Sequence, residues 1–256
     1  MGRLMRVLGA SGERIIDATK AMYCPEIREV LMRAAEDVPY LKRQIAAFQG
    51  AALYALAQQY NAPDAHVLEI GTAWGYSAAL LSLAAPAADI VTLNPKDHEM
   101  DKAEQHLRDY GNVRLVRARS WDYLWDYDGP ELDMVWVDGD HARIIRDLPW
   151  FNVLKVGGLM LFHDYAPPDS ARPCSVVYHA INMFATLLGD VPEGRNPDVL
   201  VVDDQKVGMA GFYRREHEFW CGYAVDPWED ANVGRFLPPT IPDSPGGGEN
   251  RGGLPD

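Results

Sequence analysis

The sequence is poor in cysteine and has no long apolar run. Its three cysteines, Cys24, Cys174 and Cys221, lie far apart and form no Cys-x-x-Cys pair. An odd number of scattered thiols argues against a disulfide framework and against a zinc site. No apolar stretch approaches the roughly 18 residues that a membrane-spanning helix needs, and the first residues lack the apolar core of a secretory signal. We therefore expect a cytoplasmic protein with no membrane partner.

Basic residues are also scarce relative to acidic ones. The chain has 24 Lys and Arg against 37 Asp and Glu, which gives a net charge of −13. A negative field of this kind repels phosphate backbones, so nucleic acid is not the expected partner. Hydrophobic residues make up 48% of the 256 positions, enough for a buried core.

Short apolar strands alternate with helices through the middle of the chain. These strands are predicted at 66–70, 89–93, 113–116, 132–137 and 158–162. The alternation is typical of βαβ units and predicts a Rossmann-like, doubly wound and mostly parallel sheet. Two further strands, at 198–202 and 207–213, are separated by only four residues. This gap is too short for a helical crossover, so the sheet is expected to have seven strands and to end in an antiparallel hairpin.

The flanking regions differ in composition from this alternating region. Residues 13–60 are predicted to be helical, so residues 1–60 form an N-terminal helical extension before a domain over 61–215. Residues 216–256 form a C-terminal extension. From about residue 238 it consists mostly of Pro, Gly and polar residues and is expected to be flexible.

A glycine turn follows the first strand of the domain. The segment VLEIGTAWGYS places Glu69 in the strand, then Gly71 and Gly75, then a helix. A glycine permits a sharp turn and a close approach of the backbone to a ligand. The spacing Glu-x-Gly-x-x-x-Gly is not the GxGxxG dinucleotide fingerprint.

Together with two later segments, this turn resembles the class I S-adenosylmethionine-dependent methyltransferases. The segments MVWVDGDHARIIRDL and VGGLMLFHDY are similar to a bacterial subgroup of small-molecule O-methyltransferases. The resemblance covers about residues 50–215. It implies S-adenosylmethionine as the cofactor and a small-molecule acceptor.

The resemblance also assigns residues to the methionine part of the cofactor. Those implied to line it form the glycine turn: Gly71, Thr72, Ala73 and Gly75. Ser77 would bind the carboxylate of the cofactor, and Glu69 would lie behind the turn near the ammonium group.

The ribose and adenine sites depart from the family pattern. Asn94 stands where an acidic residue usually accepts hydrogen bonds from the ribose hydroxyls, and Arg119 replaces an acid at the adenine site. Ser120 and Trp121 follow, and Trp121 is a candidate to stack on adenine. An amide accepts without charge assistance, so Asn94→Asp is expected to preserve or tighten cofactor binding.

Acidic residues and histidines follow two neighbouring strands. Asp138 and His141 come after the fourth strand, and His163 and Asp164 come after the fifth. The carboxyl ends of parallel strands meet at one edge of the sheet, so these side chains are expected to converge.

Two mechanisms fit this group. In one, His163 or His141 is the general base for an acceptor hydroxyl. In the other, Asp138 and Asp164 hold a divalent cation such as Mg²⁺. Imidazole is a good base near neutral pH and a poor magnesium ligand, which favours the base mechanism with His163.

An aromatic run and two arginines lie close to these motifs. Alternate positions are aromatic at Trp121, Tyr123, Trp125 and Tyr127, which indicates either a wall of an acceptor pocket or a packed loop. Arg143 and Arg146 are expected on a solvated face.

The predicted activity is methylation of an oxygen on a small molecule, and two alternatives stay open. One is methylation of RNA or of a modified nucleoside, for which Arg108, Arg114, Arg117 and Arg119 offer a basic patch. The other is a non-catalytic binding protein with a methyltransferase fold. The N-terminal helices are candidates for a homodimer contact.

Deletion of residues 238–256 is expected to leave the melting temperature within roughly two degrees of the full chain, because this tail has too little apolar surface to offset the entropy of ordering. Scanning calorimetry of both chains measures the difference. A drop of many degrees would show that the tail docks on a folded surface.

Overall fold

The computed structural model describes residues 5–9, 12–16, 23–39, 45–170, 174–188, 196–202, 208–216 and 218. All of them belong to one compact unit that spans residues 1–220. The tail predicted to be flexible lies outside the described residues.

The described residues form one mixed sheet. Its strands are β1 (Met5–Gly9), β2 (Gly12–Ile16), β3 (His66–Ile70), β4 (Asp89–Leu93), β5 (Val113–Val116), β6 (Leu132–Val137), β7 (Leu154–Tyr165), β8 (Val199–Val202) and β9 (Gly208–Tyr213). Their order is β2-β1-β8-β9-β7-β6-β3-β4-β5. Strands β3 to β7 run parallel, whereas β9 pairs antiparallel with both β7 and β8. The predicted seven-stranded Rossmann-like sheet with its antiparallel C-terminal hairpin is confirmed.

Helices cover both faces of this sheet. They are α1 (Pro25–Asp37), α2 (Ala47–Ala57), α3 (Tyr76–Ala84), α4 (Asp97–Leu107), α5 (Ser120–Trp125) and α6 (Ser175–Leu188), with 3₁₀ segments at Gln58–Tyr60 and His141–Val153. Neighbouring residues of β6 point to opposite faces, since Trp136 packs with α2 and α3 whereas Val135 packs with the second 3₁₀ segment and α6. A strand buried on both faces explains why β6 is apolar almost throughout.

The N-terminus differs from the sequence prediction. Residues 13–16, predicted to be helical, lie in β2, which pairs with β1. Strand β1 in turn pairs antiparallel with β8 and so extends the sheet by two strands. β-Branched Ile15 and Ile16 suit a strand, and the edge of β8 offers unpaired backbone groups to the hairpin.

The segment after β6 also differs in detail. The alternation of strands and helices predicts a helix between β6 and β7, but the segment found there, His141–Val153, is 3₁₀ and is kinked at Arg143. Pro149 lies inside the segment and cannot donate a backbone hydrogen bond, which disfavours a regular α-helix. The segment keeps its N-terminus at the carboxyl edge of the sheet, next to the ends of β3, β4 and β7. No helix among the described residues is both long enough and apolar enough to cross a membrane.

Candidate active site

The glycine turn is shaped by a close approach of two chain segments. Gly71 has a φ of +107°, and the N–H groups of Gly71 and Thr72 donate to the carbonyl of Leu93, at 2.9 and 3.2 Å. Asp138 N–H donates to the carbonyl of Ile70 at 2.8 Å, so the end of β6 passes directly beside the turn. A Cβ atom on Gly71 would lie 2.2 Å from the Asp138 carbonyl oxygen. The neighbouring backbone therefore requires a glycine at position 71, and Gly71 also lines the cavity described next.

A cavity of about 670 Å³ opens at the carboxyl ends of the strands. It brings together seven of the predicted site residues: Gly71, Ala73, Asn94, Ser120, Trp121, Asp138 and His141. The other predicted site residues lie outside the cavity lining: Glu69, Thr72, Gly75, Ser77, His163 and Asp164. Of these, Glu69, Thr72 and Ser77 are buried behind the turn.

Glu69 is fully buried and is bonded to neighbouring hydroxyls. Its Oε2 accepts a hydrogen bond from Thr92, whose hydroxyl also lies 2.6 Å from that of Thr72. Burial raises the pKa of Glu69 to about 7, and hydrogen bonds from Ser77 and Thr92 oppose this rise. Glu69 and Ser77 therefore stabilise the turn from its buried side.

Two carboxyl groups in the cavity were missed by the sequence analysis. Glu99 projects from the first turn of α4, and Asp147 comes from the second 3₁₀ segment. Asp147 is buried and accepts a hydrogen bond from the Ser120 hydroxyl, and burial raises its pKa to about 7 against the effect of that bond. A signal was present, because Asp147 follows Ile144 by three residues and so falls on the apolar face of its segment.

Only one of the four aromatic residues considered for a pocket wall lines the cavity. Trp121 lines the cavity, and the guanidinium carbons of Arg119 and Arg146 lie 5.7 and 5.0 Å from its ring centroid. A stacked base would compete with these groups for the ring. Tyr123 and Tyr127 instead pack on Trp150 in the core.

Two other side chains of these motifs are solvent-exposed. The Trp125 side chain is 53% exposed and belongs to no wall of the cavity. Arg143 lines the rim of the cavity and pairs with Asp140 at 2.8 Å.

The His163 side chain is buried between side-chain oxygens that can accept hydrogen bonds. Its Nε2 lies 3.2 Å from Gln49 Oε1, and its Nδ1 lies 2.9 Å from Asp138 Oδ1 and 3.4 Å from Asp164 Oδ1. Burial lowers the pKa of His163, but the charges and hydrogen bonds of the two aspartates outweigh it and raise the pKa to about 10. With acceptors at both nitrogens, His163 is an imidazolium at neutral pH.

His141 is the more accessible of the two histidines. Its side chain is 34% exposed, with Nε2 3.5 Å from Asp138 Oδ1 and Nδ1 3.6 Å from Asp164 Oδ2. A hydrogen bond with Asp138 raises the pKa of His141, and burial opposes the rise. The Asp140 side chain accepts from Ala142 N–H at 3.1 Å and so fixes the start of the segment that carries His141.

The same group of side chains is a candidate cation site. Potential ligand atoms of Asp138, His141 and His163 lie within 4.8 Å of one another. Two imidazoles with carboxylates suit a transition-metal ion, whereas Mg²⁺ prefers oxygen ligands. The donor set therefore does not fit the magnesium site predicted on Asp138 and Asp164.

Glu69→Gln should change how stability depends on pH. The folded protein holds a proton on Glu69 up to about pH 7, whereas the unfolded chain releases it near 4.5, so wild-type stability falls as the pH rises between these values. The glutamine side chain of the variant carries no such proton. We expect the unfolding free energy of the variant, relative to wild type, to rise by about 2 kcal/mol from pH 5.5 to 8.5.

Urea titrations at the two pH values measure this difference. The exposed α1 variant Glu29→Gln is the control and should show no such trend. An equal pH response in both variants would contradict a buried, protonated Glu69.

Comparisons with known proteins agree with this fold. Residues 68–165 match the family model described as a methyltransferase domain. The fold is similar to that of cofactor-bound Rv0187 from MTB, with 23% identity, a TM-score of 0.57 and coverage of 75% of this chain and 90% of that one. The fold is also similar to that of the O-methyltransferase TomG from Streptomyces achromogenes in complex with SAM, with 23% identity, a TM-score of 0.53 and coverage of 73% of this chain and 90% of that one.

The O-methyltransferase from Bacillus cereus, in complex with SAH, gives 18% identity, a TM-score of 0.52 and coverage of 76% and 91%. No curated protein sequence matches the chain significantly. The family match spans the glycine turn, Asp138, His141, His163 and Asp164 within one segment of the fold. The chain thus has the class I methyltransferase fold, and its residues 68–165 match the model of a methyltransferase domain.

Proposed function

We propose that the protein transfers the methyl group of S-adenosylmethionine to an oxygen atom of a small molecule. The observation that carries this proposal is the cavity beside the glycine turn, which has the Asp138 and His141 side chains in its wall. Two similar folds belong to O-methyltransferases crystallised with SAM or SAH, which supports the same cofactor here.

The residues of the cavity fit this cofactor. Its volume of about 670 Å³ is in the range of small-ligand sites. Asp138, Glu99 and Asp147 provide acceptors for the ammonium, hydroxyl and amino groups of a nucleoside amino acid. When bound, the cofactor supplies an electrophilic methyl group on a sulfonium. The turn from Gly71 to Gly75, with Glu69 and Ser77 behind it, sets the shape of the methionine end.

Wild-type protein should bind S-adenosylmethionine and S-adenosylhomocysteine in titration calorimetry, and both should raise its melting temperature by mass action. NAD is the control, because the turn lacks the GxGxxG spacing. Stabilisation by NAD alone would contradict the proposed cofactor. Gly71→Val is a poor probe, since its side chain would displace the Asp138 backbone and disturb folding together with binding.

His141 is the base in this proposal, in place of His163. The acceptor hydroxyl gives its proton to the His141 imidazole, its oxygen attacks the methyl carbon, and the sulfur–methyl bond breaks to release S-adenosylhomocysteine. His163 is buried outside the cavity lining and its pKa is raised to about 10, so it keeps its proton at neutral pH and does not face the acceptor, whereas His141 lines the cavity. The positive charge of His163 instead holds Asp138 and Asp164 together.

His141→Ala should lower kcat by about 10²-fold and leave the Kd of S-adenosylhomocysteine unchanged. The wild-type rate should rise with pH through the raised pKa of His141, because only the neutral imidazole accepts a proton. His163→Ala should also lower kcat about 10²-fold, since Asp138 and Asp164 lose the cation between them. The exposed histidine variant His179→Ala is the matched control and should keep full activity.

Activity should survive EDTA. Complete loss in EDTA, with rescue by Mn²⁺, Zn²⁺ or Mg²⁺, would contradict the base mechanism. It would make Asp138, Asp164 and the two histidines candidate metal ligands.

The basic patch on which the RNA alternative depends is partly neutralised. Arg117, one of its four arginines, pairs with Asp97, Asp101 and Glu104 at 2.7–3.2 Å. A guanidinium neutralised by three carboxylates offers little attraction to a phosphate backbone. A small-molecule acceptor is therefore favoured. Cytoplasmic location and a homodimer remain predictions from the sequence.

A further inference from the structure

Asn94 occupies the end of β4, where the family resemblance calls for an acidic residue that binds the cofactor ribose. Its side chain is buried and its amide is fixed at both ends. Oδ1 accepts a hydrogen bond from Lys96 N–H at 3.0 Å, and Nδ2 donates to Glu99 Oε2 at 2.8 Å. Because a backbone N–H can bond only to the oxygen of the amide, the hydrogen bond from Lys96 identifies Oδ1. The NH₂ group of Asn94 must therefore face Glu99. The acceptor of this amide is thus engaged within the protein.

Glu99 is a carboxylate inside the cavity at this position. It projects from the first turn of α4, its side chain is only 19% exposed, and it lines the cavity beside Asn94. Its Oε1 accepts from Lys96 Nζ at 3.1 Å. A carboxylate has about four acceptor sites, so two remain after the bonds from Asn94 and Lys96.

We propose that Glu99, oriented by Asn94, accepts the hydrogen bonds of the two ribose hydroxyls of the cofactor. The carboxylate missing from the end of β4 is supplied five residues later in the chain, from the following helix. Glu99 is the binding residue and Asn94 is a positioning residue. This inference rests on the proposed function, because it assumes a cofactor that carries a ribose.

The geometry reverses one expectation from the sequence. Asn94→Asp was expected to preserve or tighten binding by restoring the acid. In the structure, it would remove the donor to Glu99 and place two carboxylates about 2.8 Å apart. Like charges at this distance repel, so the variant should bind the cofactor more weakly. The double variant Asn94→Asp/Glu99→Gln relieves this repulsion but still lacks the Glu99 carboxylate, so it should bind the cofactor no better than Glu99→Gln alone.

A purely structural role for Glu99 is the competing explanation. An acidic residue in the first turn stabilises a helix through its dipole, with no ligand involved. The test must therefore measure recognition of the ribose itself. Glu104→Gln provides a matched control on α4, because Glu104 is outside the cavity lining and pairs with Arg117 at 2.9 Å.

The experiment is titration calorimetry with S-adenosylhomocysteine and with its analogue that lacks both ribose hydroxyls. Glu99→Gln should weaken binding of S-adenosylhomocysteine about 10- to 100-fold, the effect expected for lost charge-assisted hydrogen bonds. Glu104→Gln should bind like wild type. The deoxy analogue should bind wild type much more weakly than S-adenosylhomocysteine does. Glu99→Gln should discriminate little between the two ligands, because the interaction is already lost.

The possible results distinguish a failure of the proposed function from a failure of the role of Glu99. Failure of wild-type protein to bind S-adenosylhomocysteine would overturn the proposed function. Normal wild-type binding with an unchanged Kd in Glu99→Gln would overturn the role of Glu99 alone. Equal discrimination against the deoxy analogue in wild type and Glu99→Gln would also overturn the role of Glu99. Tighter binding by Asn94→Asp would place the ribose acceptor at the end of β4 and likewise contradict the proposal.

Discussion

The contact between the Gly71 turn and the backbone of Asp138 is the constraint on which the site depends. Two parallel strands end side by side here, and a hydrogen bond from Asp138 N–H to Ile70 joins them. Any side chain at Gly71 would force them apart. Because Asp138 leaves β6 at this point, the same contact fixes the carboxylate that both histidines face. The cofactor turn and the proposed acceptor site are therefore one rigid junction.

The charges around this junction are arranged in pairs. His163 sits between Asp138 and Asp164, and Glu99 lies beside Lys96. These pairs allow a protein with a net charge of −13 to gather carboxylates around one cavity without strong mutual repulsion. The charge of Asp147 is reduced by burial instead. Burial raises the pKa of Asp147 to about 7, so it carries only part of a negative charge at neutral pH.

The sequence predicts local features of this protein well. The bounds of β3, β4, β5 and β6 agree with the structure because each strand is a short apolar run between turn residues. The residues missed around the cavity depend on packing between distant elements. Glu99 and Asp147 resemble ordinary helix acids until α4 and the 3₁₀ segment are folded against the sheet. The β1–β2 hairpin was missed because its partner, β8, lies almost 200 residues away.

Gln49 connects the N-terminal region to the histidine of β7. Its Oε1 accepts from Ala46 N–H at 2.8 Å and faces His163 Nε2 at 3.2 Å, while its Nε2 donates to the Gly208 carbonyl at 3.4 Å. One buried amide thus joins the start of α2, strand β9 and the proposed active site. Exchange of N-terminal segments between related enzymes is consequently restricted. A replacement segment would have to bring its own acceptor for this histidine, so we expect α2 to be retained together with the strand that carries His163.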